Sequence, residues 1–354
     1  MEDEILASLL EAMPQPTLLI GADARVRQVN APGTAMFGAG LAGGLIGRHH
    51  AMAMRQPALL AAIEAALQRG IRAELRYAHA RGAREDAYLA TVAPVDLGRD
   101  RAVLCSFADM TEAEQTTQIR RDFVANVSHE LRTPLTTLMG FIETLKGPAR
   151  SDETARQRFL EIMEREAGRM NRLVRDLLSL SRVEAEERQR PQTPCDLAKL
   201  VASVAATLTP LAARSGVAIV IQGVEGAPPG AFTLPGDPDQ LVQVLQNLIE
   251  NAVKYGSPGK AVTVTLSLLD EDPMLRQSAV AVEVRDAGEG IDPVHLPRLT
   301  ERFYRVDAHR SRAEGGTGLG LAIVKHIVQR HRGRLKIDSE KGQGSRFLVV
   351  LPRH

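Results

Sequence analysis

The spacing of apolar and polar positions divides the chain into three stretches. Up to about residue 112 the apolar runs are short and broken by turns. Glu4 to Met13 has the period of a short amphipathic helix that stops at Pro14. Thr17 to Ile20 reads as a buried strand and Val26 to Val29 as its hairpin partner across Gly21-Ala22-Asp23. Asn30-Ala31-Pro32-Gly33 starts short helices, and Ala58 to Leu67 forms another that ends near Gly70. Alternation at Ala73 to Tyr77, Tyr88 to Val92 and Val103 to Phe107 predicts three strands.

Between about residues 113 and 190 the period is helical. Glu112 to Asp122 is charged, with apolar residues only at Ile119 and Phe123 at its end, and reads as a linker. The helix continues through Val127, Leu131, Leu135 and Leu138 to about Lys146, where Gly147-Pro148 stops it. Pro134 lies inside and is expected to bend it, because proline lacks the donor for the preceding turn. Ser151 or Asp152 caps a second helix to about Glu187. Its positions Phe159, Met163, Glu166, Met170, Leu173, Leu177 and Leu180 step by four and three, a heptad seam broken only by Glu166. A lone helical hairpin cannot bury such a seam, so a homodimer closing a four-helix bundle is expected.

Pro191 to Pro194 reads as a hinge. Beyond it come a helix at Leu197 to Arg214, a strand at Val217 to Ile221 and a helix at Pro238 to Tyr255. Strands follow at Ala261 to Leu269 and Ala279 to Arg285, then a helix at Leu319 to His331. Strands at Arg334 to Ser339 and Ser345 to Leu351, joined through Gly342-Gln343-Gly344, close the chain. This order predicts an α/β two-layer sandwich. The whole reads as a multidomain α+β chain with boundaries at 1–112, 113–190 and 191–354.

Composition narrows the chemistry. A net charge of +1 and 3% aromatic residues give no electrostatic or stacking case for nucleic acid. Cys105 and Cys195 have no ligand spacing and are expected as free thiols. His49, His50 and His79 are read as solvated in preference to haem or metal ligands, and Cys105 as a small buried residue. The acidic opening Met1-Glu2-Asp3-Glu4 is unlike a signal peptide, and no run of 18 apolar residues occurs. The most apolar stretch, Leu197 to Ile221, is broken by Lys199, Pro210 and Arg214. No membrane segment is therefore expected, and the chain is placed in the cytoplasm. Attachment to a membrane through a longer native form stays open.

Five clusters carry candidate chemistry. In Ser128-His129-Glu130-Leu131-Arg132-Thr133-Pro134, His129 and Thr133 are four apart and project from nearly one helix face. In Asn247-Leu248-Ile249-Glu250-Asn251-Ala252-Val253-Lys254-Tyr255, Asn247, Asn251 and Lys254 share a face. Amide oxygens suit Mg2+, and lysine suits phosphate. Asp286-Ala287-Gly288-Glu289-Gly290-Ile291 ends a strand, and its aspartate can accept from an adenine amine. Glu301-Arg302-Phe303-Tyr304-Arg305 comes next. Gly315-Gly316-Thr317-Gly318-Leu319-Gly320-Leu321 runs into a helix, where backbone N–H groups can face phosphate oxygens.

The His129 cluster closely resembles the phospho-acceptor box of bacterial sensor histidine kinases. The other four resemble the N, G1, F and G2 boxes of the ATP-binding domain of those kinases, of the histidine kinase, gyrase and Hsp90 type. The likeness spans about residues 113 to 354, and the first stretch resembles a PAS domain. The resemblance implies that His129 accepts phosphate, Glu130 assists as base and Thr133 places a water for phosphatase action. It implies that Asn251 with Asn247 holds Mg2+, that Lys254 and Arg305 contact phosphates, and that Tyr255 stacks by the adenine, whose amine Asp286 binds. Gly288 and Gly290 shape that loop, and Gly316, Thr317, Gly318, Leu319 and Gly320 belong to an ATP lid. The implied cofactors are ATP and Mg2+, and the implied partner is the receiver domain of a response regulator. Gly140-Phe141-Ile142-Glu143-Thr144-Leu145-Lys146-Gly147 resembles the phosphate-regulon sensor kinases more narrowly. Two rivals remain at this level: a sensor that mostly dephosphorylates its regulator, and a dimeric scaffold that binds ATP without using it.

Overall fold

The computed structural model describes residues 2–38, 44–81, 84–97, 100–147, 150, 152–187, 189–256, 259–307 and 316–353. The chain divides into two compact units, Met1–Ala125 and Asn126–His354.

The first unit is built on a five-stranded antiparallel sheet of order β2-β1-β5-β4-β3. Its strands are β1 (Thr17–Ile20), β2 (Val26–Val29), β3 (Ala73–Arg81), β4 (Arg84–Leu97) and β5 (Asp100–Asp109). The helices are α1 (Glu2–Glu11), α2 (Ala31–Phe37) and α3 (Pro57–Arg69). Leu18 and Ile20 enter the main core with Phe37, Leu59, Ile63 and Phe107, while Leu19 packs on the other face with Leu10 of α1. Buried Asn30 fastens this start: its Oδ1 accepts from Thr17 N and Gly33 N at 2.9 Å each. Its Nδ2 donates to Met13 O and Gln15 O at 3.0 and 2.8 Å. Cys105 is buried as expected, and burial pushes its thiol up to about 12. His50 is a correction. It is 2% exposed, not solvated, and its Nδ1 lies 3.0 Å from Ala24 O. Burial lowers its pKa below the usual imidazole range.

Helix α4 (Thr111–Lys146) begins in the first unit and continues in the second, where α5 (Glu153–Ala185) follows. Of the two proposed caps, Asp152 serves, accepting from Ala155 N at 2.9 Å; Ser151 lies outside the described residues, as does Pro148. Pro134 stands inside α4, where it leaves the carbonyl of Glu130 without its helical donor. Phe141 and Phe159 stack across the hairpin with centroids 4.9 Å apart.

The α/β sandwich of the second unit has a sheet of order β11-β12-β10-β9-β7, with only β7 and β9 parallel. These strands are β7 (Ala218–Gln222), β9 (Ala261–Asp272), β10 (Gln277–Arg285), β11 (Arg334–Glu340) and β12 (Gly344–Pro352). Helices α6 (Leu197–Arg214), α7 (Pro238–Tyr255) and α8 (Gly320–Arg330) form the second layer. Val280, Val282 and Val284 of the central strand are buried, as are Ala279 and Ala281 on its other face, so this part of the strand is covered on both faces. The expected hinge at Pro191 to Pro194 is corrected in part. Thr193–Asp196 is strand β6 and pairs with β8, Thr233–Gly236, which periodicity missed. A four-residue strand carries too few alternations to stand out. Among the described residues one helix, α6, has the length and hydropathy to cross a membrane. Its Leu197, Val201, Val204 and Leu208 are instead buried in the sandwich.

Candidate functional site

The site is organised by α7. Asp237 caps it, accepting from Asp239 N and Gln240 N at 3.1 and 3.3 Å, and Pro238 occupies the first turn. His331, 1% exposed, accepts from Asp237 N at 3.0 Å through Nε2 and faces Ile327 O through Nδ1 at 2.8 Å. Burial lowers its pKa, in keeping with a neutral ring that uses both nitrogens. Leu241, Val244, Leu245, Leu248, Ile249, Ala252 and Val253 form the buried stripe of α7. The opposite face turns Asn247, Glu250, Asn251 and Lys254 to a cavity of about 360 Å³. Lys254 Nζ is 2.9 Å from Glu250 Oε1, so its charge is already balanced within the helix.

The end of β10 supplies the floor. Asp286 is 4% exposed, and its Oδ1 accepts from Gly288 N at 2.9 Å and Ser345 N at 3.2 Å. Burial raises its pKa, and these bonds oppose the rise. Gly290 has φ +67°, and a Cβ there would collide with the backbone oxygen of Glu340, so only glycine lets this loop pass. Tyr304 and Arg305 line the cavity from the side. The Tyr304 hydroxyl lies 2.6 Å from His295 Nδ1, with Arg298 over its ring at 4.3 Å. Phe303 has φ +65°, unusual for a bulky residue, and its N–H bonds Gly318 O at 2.8 Å. Gly318, at φ +73°, would place a Cβ 2.9 Å from Phe303 Cα. The two segments therefore hold each other in shape.

At the mouth, Gly316, Thr317, Gly318 and Gly320 line the cavity just before and at the start of α8. Gly315 lies outside the described residues. The N-cap of α8 is Leu319, which offers no side-chain acceptor, so the first N–H groups of this helix lack the usual cap. Leu319 itself is fully buried and contributes backbone only. Asn247 reaches this point, with Nδ2 3.5 Å from Gly320 O. Arg305 is the most telling cation: its side chain is 6% exposed, and its buried Nε makes no hydrogen bond.

The structure thus gathers Asn247, Asn251, Lys254, Tyr255, Asp286, Gly290, Arg305, Gly316, Thr317, Gly318 and Gly320 around one space. Tyr255 is 39% exposed at its rim. Gly288 stands behind the lining, against the backbone oxygen of Tyr255. His129, Glu130 and Thr133 do not line the cavity. His129 is exposed on α4, and Thr133 Oγ1 donates to His129 O at 3.2 Å. Glu130 is tied to the site indirectly, its Oε2 being 2.6 Å from Arg169 and 3.1 Å from Arg305. Sequence reasoning missed Arg172 and Asp176, which line the cavity from α5. They fall on polar heptad positions, where a solvated residue looks the same. It also passed over Glu250, whose spacing from Lys254 was readable.

The described residues hold no cluster of three or more His, Cys, Asp or Glu side chains suited to a metal ion. Any cation here would be shared between amide oxygens and a ligand's phosphates.

Comparison with known proteins agrees with this geometry. Residues 236–354 match the histidine kinase-, DNA gyrase B- and HSP90-like ATPase family. Residues 119–186 match the His kinase A (phospho-acceptor) domain, and residues 10–115 the PAS fold. The phosphate regulon sensor protein PhoR of Pseudomonas aeruginosa is 42% identical over 253 residues, covering 72% of this chain and 54% of that protein. The sensor histidine kinase WalK of Bacillus subtilis is 36% identical over 255 residues, covering 72% of this chain and 40% of that one. The chain spans about half the length of the curated relatives it matches. The crystal structure of histidine kinase ThkA in complex with response regulator protein TrrA is 19% identical, covers 98% of each chain at a TM-score of 0.51, and shares the fold. With a PAS fold, a phospho-acceptor hairpin and this ATPase sandwich in one chain, and with sensor kinases among its relatives, the protein belongs to the sensor histidine kinase family.

Proposed function

We propose that this chain is a homodimeric sensor kinase that autophosphorylates His129 and passes the phosphoryl group to an aspartate of a response regulator. Buried Arg305, with an unpaired Nε in a cavity rimmed by the glycines before α8, is the observation that carries the reading. Glu130 balances the charge of Arg305 in this conformation, and the Nε left over needs a further acceptor, which a polyphosphate held at the start of α8 would supply. Asp286 then receives the adenine amine, Tyr255 covers the ring, and Lys254 with Arg305 meets the phosphates. Asn247 and Asn251 would hold Mg2+, which neutralises phosphate charge when bound.

The imidazole nitrogen of His129 attacks the γ-phosphorus in line. The nitrogen–phosphorus bond forms as the bond to the leaving ADP oxygen breaks, and Glu130 takes the imidazole proton. Catalysis of this kind is mostly positioning and charge neutralisation. In the present conformation Glu130 is held by Arg169 and Arg305, and His129 stands away from the cavity lining. That favours regulator dephosphorylation as a second activity, with Thr133 placing the water. The likeness to PhoR supports phosphate as the signalling theme. Working boundaries are 1–112 for the PAS-like sensor, 113–190 for dimerisation and phosphotransfer, and 191–354 for ATP binding. A cytoplasmic position for all three suits their roles.

Incubation with γ-labelled ATP tests the reading. Wild type should take label that is lost in His129→Ala and Asn251→Ala, and added regulator should remove it. An unlabelled wild type would sink the kinase reading. Label retained in Asn251→Ala at saturating Mg-ATP would refute the metal assignment.

A further inference from the structure

The nucleotide cavity borrows part of its wall from the helical stem. Asp176 of α5 lines it, and Thr317 Oγ1 donates to Asp176 Oδ2 at 2.7 Å. The same Thr317 oxygen accepts from Leu319 N at 3.3 Å. One short chain of hydrogen bonds thus joins the stem to the turn at the start of α8. Other contacts fasten the two surfaces on either side. Ser179 Oγ donates to Gln243 Oε1 at 2.7 Å. Arg302 pairs with Glu184 at 2.5 Å, and Arg330 with Glu186 at 2.8 Å.

Asp176 has the wrong charge for this place if the cavity takes only what its glycines attract. It sits at the phosphate end, marked by the uncapped start of α8. Burial raises the pKa of its carboxyl, while the Thr317 hydrogen bond, Arg175 and Arg172 pull it down, and Glu250 adds to the rise. The neighbouring cations leave a carboxylate here tolerable while the cavity holds no further anion. A ligand's terminal phosphate would bring negative charge beside Asp176 and Glu250 together, in a partly water-excluded space where repulsion is little screened. A diphosphate stops one group short and meets less of it.

We propose that Asp176 is a specificity-determining latch. It holds Thr317 while the ATPase sandwich is docked on α5, and a nucleoside triphosphate, more than a diphosphate, favours release of that contact. This rests on the nucleotide reading above. Linkage makes the effect reciprocal: the docked latch weakens triphosphate binding by the factor by which triphosphate weakens docking.

The test uses the full chain with a non-hydrolysable ATP analogue and with ADP, both with Mg2+. Asp176→Asn keeps an acceptor for Thr317 and removes the charge. It should tighten the ATP analogue about three- to tenfold and ADP by less than about twofold. An equal change for both nucleotides, or none, overturns the latch. Docking is read separately by disulfide trapping in a Ser179→Cys, Gln243→Cys variant, whose two native cysteines are buried. Trapping should fall with the ATP analogue, fall less with ADP, and fall without nucleotide when Asp176→Ala is added. Trapping indifferent to the analogue also overturns the proposal. If wild type binds neither nucleotide, the nucleotide reading itself has failed. Binding with an unchanged ratio sinks the latch alone.

Discussion

At Asp286 the local geometry decides what a conservative substitution would do. Its Oδ1 is held by the N–H groups of Gly288 and Ser345. An asparagine there must keep its amide oxygen with those two donors, because buried N–H groups left unpaired are costly. Its NH2 then faces the cavity and meets the adenine amine donor to donor. Asp286→Asn should therefore weaken ATP binding by at least about tenfold, a cost of ~1.4 kcal/mol or more, with little change in melting temperature. Titration calorimetry with ATP checks this, and an affinity within twofold of wild type would remove Asp286 from adenine recognition. The same style of reasoning was within reach of the sequence for Asn30, expected at a helix start. Its bonds to Thr17, Met13 and Gln15 come from chain segments that only the fold brings together.

Helix α5 has the expected period, and part of its seam is covered within one chain. Leu173 and Leu180 of the expected dimer seam are 3% and 1% exposed within a single chain. Leu173 stands by Glu130, Pro134, Arg169 and Met170. Ser179, Glu184 and Glu186 meet the sandwich. The apolar positions left open are Leu160, Val174 and Leu178, at 47%, 42% and 66% exposed, with Leu135, Met139 and Ile142 of α4. A heptad fixes the spacing of an apolar stripe but not what covers it, and here two surfaces compete for one helix. The dimer is therefore tested at Leu178, which is exposed in the single chain. Leu178→Glu should leave the monomer folded, since the side chain is mostly in water, and should weaken the dimer by about tenfold or more as a buried leucine's ~1.5–3 kcal/mol is lost. Light scattering reads the mass, and an unchanged dimer at low micromolar concentration would place the interface elsewhere.

Across the whole sandwich, pH acts through Asp272. It is fully buried and accepts from Arg334 Nε at 3.2 Å on both oxygens and from Nη2 at 2.6 Å, and it caps Met274 N and Leu275 N. The hydrogen bond from Arg334, foremost, holds its carboxyl below the usual range, and those backbone donors add to it. A depressed carboxylate contributes stability that is present above its unfolded value, about 3.9, and is lost as pH falls through the folded value. Asp176 and Asp286 have raised values and act in the opposite sense, favouring the folded state relatively more as they take up protons. Asp272→Asn should be less stable at neutral pH and should lose less on acidification below about pH 4 than wild type. Thermal melts across that range check it. Parallel acid limbs for the two proteins would show that Asp272 is not linked to folding.

What the sequence determined by itself is local or periodic. Helix α7 matches its expected ends, because Asp237-Pro238 starts it and its apolar stripe is unbroken. Helix α6 likewise runs as expected from Leu197 to Arg214. The five candidate clusters were legible because the residues proposed to meet ATP or to accept its phosphate stand in short runs of the chain. Tertiary structure decided the rest. Arg172 and Asp176 join the cavity from α5, 75 positions before Asn247 and Asn251 respectively. Glu130 meets Arg305 across 175 positions, and His50, read as solvated, is buried against Ala24. Strand β6 exists only because β8 pairs with it. None of these contacts leaves a mark in local spacing, since each depends on which surfaces meet, and the energy of meeting is shared by residues too far apart in sequence for any window to hold both.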